Sequence, residues 1–212
     1  RFVEQFFRPF HNADDYYLAA LEKSPDDYRV NLALGKRRVN QWRYAEALVY
    51  LQKAADKLKV KYYQPKEGEL FYYMGLAQRA LGQTEEAYAN FYQSTWYYEW
   101  FSAGFYQLAQ MESIDGNTGK ALEFVRNAYS TNNNDGRIVV LYSALLRKSG
   151  KKEEAVALLE KFIRFDPINY AAYYEKGLLQ GKDLLTGHLG LMQDPDNNFL
   201  DIVIHYVNAG MH

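Results

Sequence analysis

The sequence predicts an all-α chain, a solenoid of antiparallel helix pairs stacked into an α-α superhelix. Three observations predict it. Small residues Ala87, Ala121 and Ala155 stand 34 residues apart, and the positions twelve earlier (Gly75, Ala109, Ser143 and then Gly177) keep the same step. The glycines Gly82, Gly116 and Gly150 repeat that interval at turn positions. A large apolar residue follows four after each small one, at Leu51, Phe91, Val125 and Leu159, which is the spacing of one helix face. Independent columns at one period of this length are the signature of a repeat architecture.

In chain order, Asn12 to Ser24 reads as the second helix of a partial repeat over residues 1–27. Ala13, Tyr17 and Ala20 hold its contact positions, and Pro25 ends it. Residues 28–67 form the first complete repeat, with Gly35, Ala47, Leu51 and Ala54 in register. Its interval to the next, Ala47 to Ala87, is 40, and the extra residues fall in a lengthened loop around Val60 to Gly68 that contains Pro65. Repeats 68–101, 102–135 and 136–169 follow without insertion, and the run Asn132 to Gly136 is polar turn chemistry between helices. A fifth repeat, 170–195, begins at Tyr170 but is degenerate: Gly181, Gly187 and Gly190 interrupt its second half. Asp194-Pro195-Asp196 then starts a terminal helix within 196–212 that has no partner repeat. That lone helix, and a start at Arg1 rather than Met, lead us to expect a fragment of a longer protein.

Each helix of a pair is too short to be stable alone and holds only by burying its apolar stripe against its neighbours. Ala or Gly at the crossing lets the axes approach closely.

With these columns in view, the chain resembles the tetratricopeptide repeat family, whose unit is a helix-turn-helix of 34 residues. Pro25 and Pro167 stand where that family often ends a repeat. The resemblance covers nearly the whole chain and implies a right-handed solenoid whose first helices line a concave groove for a peptide or a partner's helix. Counting along those first helices, the groove candidates are Arg29, Lys36, Glu69, Tyr72, Tyr73, Arg79, Tyr106, Gln107, Gln110, Arg137, Arg147 and Tyr174. The members that grip a chaperone's C-terminal carboxylate do so with Lys and Asn at set positions. Here Leu32, Lys36, Tyr73, Ala103 and Gln107 stand there, so that clamp is missing.

Composition narrows the function. Hydrophobic residues make up 48%, enough for a folded chain, and Lys plus Arg number 25 against 26 Asp plus Glu. That balance lacks the basic footprint of a nucleic-acid binder. No run of apolar residues is long enough to span a membrane. With no Cys there is neither a disulfide nor a thiolate nucleophile. His11, His188, His205 and His212 form no metal-ligand spacing. Gly177 to Asp183 imitates a phosphate loop, but its spacing is short and an acid replaces Ser or Thr. The pairs Glu85-Glu86 and Glu153-Glu154 open second helices, where acids complement the helix dipole. We therefore expect no enzyme, no cofactor and no metal, with the cytoplasm the favoured compartment.

The aromatic run Trp96 to Phe101 is the one ambiguity. It reads first as packing between repeats and second as a stacking platform, with Tyr72, Tyr73 and Tyr106 better placed for a ligand. The segments EGELFYYMGLA, AYANFYQSTWYYEWFSAGFYQLAQ and NNFLDIVIHYVNAG also resemble a bacterial family that joins a sugar-mutarotase-like β-sandwich domain to tandem repeats. The expected function is a non-catalytic scaffold that binds a protein, a peptide or a neighbouring domain of the same polypeptide. The alternative is an accessory module of a carbohydrate-active protein, with a glycan as ligand.

Overall fold

The computed structural model describes residues 12–61 and 68–211, apart from the side chains of 60 and 61. The inserted loop with Pro65, and His11 and His212, lie outside the described residues. Every regular element among those described is helical: α1 Ala13–Lys23, α2 Tyr28–Asn40, α3 Tyr44–Lys61, α4 Glu69–Ala80, α5 Thr84–Ser94, α6 Tyr98–Ile114, α7 Thr118–Thr131, α8 Gly136–Lys148, α9 Lys152–Phe165, α10 Tyr170–Gln180, a short 3-10 helix Thr186–Leu191, and α11 Pro195–Asn208. The chain divides into two compact units, Arg1–Trp100 and Phe101–His212.

In the first unit α2 pairs with α3 and α4 with α5, and α2 lies beside α4. The small-residue columns explain the closeness. A Cβ on Gly75 would sit 2.7 Å from the Phe91 ring, and one on Gly35 would sit 2.5 Å from Leu51. Phe91, Leu51, Ala47 and Ala87 are wholly buried at these crossings. Charge fixes α1. Asp14 accepts from Arg38 at 2.7 Å and from Arg37, tying α1 to the last turn of α2. Burial alone would raise the Asp14 carboxyl, but the hydrogen bonds from Arg38 and then Arg37 outweigh it and hold it below the usual carboxylate range.

In the second unit α7 and α9 each pack on α8, and α10 packs on both α8 and α9. Ala121, Val125, Ala155 and Leu159 are again wholly buried. Helix starts follow capping chemistry: the side chains of Asp135, Asn169 and Asp194 accept from the first-turn amides of Arg137, Ala172 and Asn197 at 3.0, 3.1 and 3.2 Å.

The pair-closing turns need a left-handed residue, and Gly82, Gly116 and Gly150 supply it at φ 75°, 78° and 77°. Trp42 occupies the same turn of the α2–α3 pair at φ 60°, with its side chain 80% exposed. A Cβ in that conformation costs about 1–2 kcal/mol, and an exposed indole returns little of it. Trp42→Gly is therefore expected to raise stability by about 0.5–1 kcal/mol once glycine's greater freedom in the unfolded chain is offset. A urea midpoint measures this, and a drop would mean the indole has a packing role in the folded chain.

Candidate interaction faces on the first helices

In the first unit the first helices of the pairs, α2 and α4, bring four of the candidates together. Lys36 reaches from α2 to pair with Glu69 on α4, and its ammonium lies 5.4 Å from the centre of the Tyr73 ring. Tyr73 meets Tyr72 edge-on at 5.8 Å. Both rings contact Trp100, at 4.9 Å from Tyr72 and 5.9 Å from Tyr73. Arg29 is exposed near the start of α2 and Arg79 is half-buried near the end of α4. The result is a half-exposed patch of aromatic ring and one ion pair.

The aromatic run divides. Tyr97 stacks on Phe71 at 6.3 Å and crowds Gly68, where a Cβ would lie 2.9 Å from it. Burial pushes the Tyr97 hydroxyl above its ordinary pKa. Trp96 and Tyr98 face solvent instead. The run packs through Tyr97, in the turn Thr95–Tyr97 between α5 and α6, and through Trp100 and Phe101 in the first turn of α6, where Phe101 meets Phe105 at 4.7 Å.

In the second unit the first helices are α6, α8 and α10, and their candidates meet something the sequence does not announce. Helix α11 lies across these three. The Tyr206 hydroxyl donates to the carboxylate of Glu175 on α10, which Arg147 of α8 holds from the other side at 2.7 Å. Glu175 is wholly buried. Tyr174 meets Tyr206 edge-on at 5.4 Å. The Ser113 hydroxyl, at the end of α6, donates to the Ala209 carbonyl at 2.6 Å. Tyr106, Arg137, Val140, Leu141 and Ala144 from α6 and α8 share one cleft with His205, Tyr206, Ala209 and Met211.

Arg137 is exposed, with its guanidinium 5.8 Å from the Tyr106 ring centre. The Gln110 amide is buried and donates to the Tyr106 hydroxyl at 3.0 Å, and Gln107 is half-buried. Sequence counting finds Arg137, Arg147 and Tyr174 but does not single out Tyr206, Ser113 or Ala209. The one available signal was the mixed face of the terminal helix.

Burial and the negative charge of the Glu175 carboxylate push the Tyr206 hydroxyl far above its ordinary pKa, so it stays a donor. His205 is held below 6.5, first by burial and then by the positive charge of Arg137, against the pull of Asp201 and Asp135. A released helix would take up that proton more readily than the seated one. The histidine therefore leaves the seating of α11 at full strength above pH ~6.5 and weakens it as the pH falls below that value. Amide exchange in α11, corrected for intrinsic rate, is expected to be faster at about pH 5.5 than at about pH 7.5, with His205→Gln flattening the difference. No pH dependence in the unsubstituted chain would contradict this.

No cluster of His, Asp and Glu among the described residues could hold a metal ion. No helix among them is long and apolar enough to cross a membrane.

No family model matches the chain. It is 25% identical over 168 residues to the regulatory protein RapG of Bacillus subtilis, a match that covers 75% of this chain and 44% of that protein. The chain thus spans less than half the length of this curated relative. Among solved structures, it superposes on YrrB, a tetratricopeptide repeat protein described as having an unusual peptide-binding site. The TM-score is 0.61 at 17% identity, covering 91% of this chain and 95% of that one. A tetratricopeptide repeat protein from Parabacteroides merdae superposes with a TM-score of 0.63 at 17% identity, covering 93% and 72%. These likenesses establish the fold, an α-α superhelix of tetratricopeptide type.

Proposed function

We propose that the chain is a non-catalytic scaffold that binds a protein or peptide through the faces of its first helices. The observation that carries this reading is the patch on α2 and α4, where Lys36, Glu69 and Tyr73 meet. A half-buried ring between charged groups is the composition of a protein-binding surface, with apolar area for affinity and charge for register. The description of RapG as regulatory and of YrrB as peptide-binding supports the same class of function.

The glycan alternative draws less support. Tyr72, Tyr73 and Trp100 lie against one another, which argues for packing over an open stacking platform.

The test is affinity capture by the whole protein from its own cells, comparing the unsubstituted chain with Tyr73→Ala/Arg79→Glu. The reading expects at least one protein to be retained by the first and lost by the second. Identical sets of retained proteins would overturn it.

A further inference from the structure

The outer side of α5 carries rings that the repeat does not need. Tyr92 and Trp96 are 46% and 61% exposed, although rings of this size are ordinarily mostly buried. In the other helix pairs the same two positions hold Gln52 and Asp56, Arg126 and Ser130, or Glu160 and Arg164, all of them exposed. Packing between repeats therefore calls for nothing aromatic at either place. Glu85, Tyr92 and Trp96 follow at steps of seven and four residues, the spacing of one helix face. Trp96 continues that face past the last turn of α5, because Thr95 keeps a right-handed helical backbone at φ −68° and ψ −11°. The charge beside these rings has one sign. Glu85 and Glu86 open α5, Glu99 stands in the first turn of α6, and all three are exposed. No Lys or Arg occurs in the sequence between Arg79 and Lys120. Among the described residues, none of these three carboxylates has an ion-pair partner.

We propose that this face of α5 docks an arginine-bearing segment of another protein, with guanidinium groups over Tyr92 and Trp96 and paired to the glutamates beside them. Charge complementarity selects a cationic partner, since exposed carboxylates with no neighbouring base repel an acidic one. The same repulsion argues against a phosphate-bearing partner, whether nucleic acid or anionic lipid. The rings then select arginine over lysine. A cation is attracted to the face of an aromatic ring, best of all to tryptophan. A guanidinium group also stacks flat on that face and pairs with a carboxylate through two parallel hydrogen bonds, which an ammonium group does not. Glu85 and Tyr92 stand seven residues apart, roughly 10 Å along the helix axis, so one arginine serves the carboxylate while others serve the rings. This surface is on a second helix, apart from the first-helix patch. The inference goes beyond the scaffold reading and can fail without it.

Fluorescein-labelled peptides of alternating glycine and arginine test this by anisotropy on the whole chain, against peptides with lysine or glutamate in place of each arginine. Three variants accompany the unsubstituted chain. Tyr92→Gln/Trp96→Ser installs side chains that the other repeats carry at those positions, Glu85→Gln/Glu99→Gln removes charge, and Tyr73→Ala alters the first-helix patch. Circular dichroism confirms that each is folded. The arginine peptide is expected to bind the unsubstituted chain more tightly than the lysine peptide, and the glutamate peptide not at all. Loss of two exposed cation–π contacts predicts roughly five- to thirtyfold weaker binding by Tyr92→Gln/Trp96→Ser. Glu85→Gln/Glu99→Gln should weaken it about two- to fivefold and flatten its dependence on salt. Tyr73→Ala should bind as the unsubstituted chain does. Three results would each overturn the inference: an arginine peptide bound no better than the lysine or glutamate one, a ring variant that binds like the unsubstituted chain, or a loss on Tyr73→Ala as large as on the ring variant.

Discussion

Phe91→Ala is expected to lower the stability of the first unit by about 3–5 kcal/mol, the range for deleting a fully buried ring. Phe91 is wholly enclosed, with the Tyr72 ring at 5.8 Å and the backbone of Gly75, both on α4, against it. Gly75 has no side chain that could move into the space, so the cavity remains. The complementary change supports the same geometry. Gly75→Ala would place a Cβ 2.7 Å from the ring and cost about 1–3 kcal/mol by overpacking. Exchange of the α4 and α5 amides reads both effects without assuming that the whole chain unfolds in one step. A loss below about 1 kcal/mol for Phe91→Ala would mean that the crossing collapses, contrary to the packing described.

Glu175→Ala carries the second large effect. Breaking a buried ion pair by truncating one partner costs about 3–5 kcal/mol when the survivor is fully buried. Arg147 keeps some access to water, 30% of its side chain, so the cost here is set lower, at about 2–3 kcal/mol. The Tyr206 hydroxyl loses its acceptor at the same time, so α11 should exchange freely before α8 and α10 do. Glu175→Gln keeps an oxygen for both donors without the charge and should cost about half as much. Urea titration with amide exchange on both variants measures this, and equal protection of α11 in all three chains would contradict it.

Much of the fold is legible in the sequence because its causes are local and repeated. Ala87, Ala121 and Ala155 are small for the same reason at each crossing, and Gly82, Gly116 and Gly150 share one turn conformation. Trp42 shows the limit of such columns. The turn keeps its left-handed conformation even where the residue type breaks the pattern, because the flanking helices impose it. The aromatic run was readable as packing in part: Tyr97 and Trp100 turn inward while Trp96 and Tyr98 do not.

The seat of α11 was not legible. Its anchors join Ser113 to a backbone carbonyl 96 residues away, and a carbonyl leaves no trace in a sequence. The exposed apolar residues of the helix suggested a missing repeat, while its seat is made by Ile202, packed with Leu185 and Met192, by Tyr206 on Glu175 and by the Ala209 carbonyl. Of the twelve candidate residues, Tyr106, Arg137, Arg147 and Tyr174 line or anchor the seat of that helix. Lys36, Glu69, Tyr72 and Tyr73 gather on the first unit, where they carry the scaffold reading.

Site-specific photo-crosslinking is the measurement that reaches that reading most directly. A benzophenone amino acid is placed at Tyr73, on a first helix, or at Val49, exposed on the second helix α3, in the whole protein in its own cells. The scaffold reading predicts a discrete protein adduct from position 73 that is absent from position 49. Adducts from position 49 alone, or the same adducts from both, would contradict it.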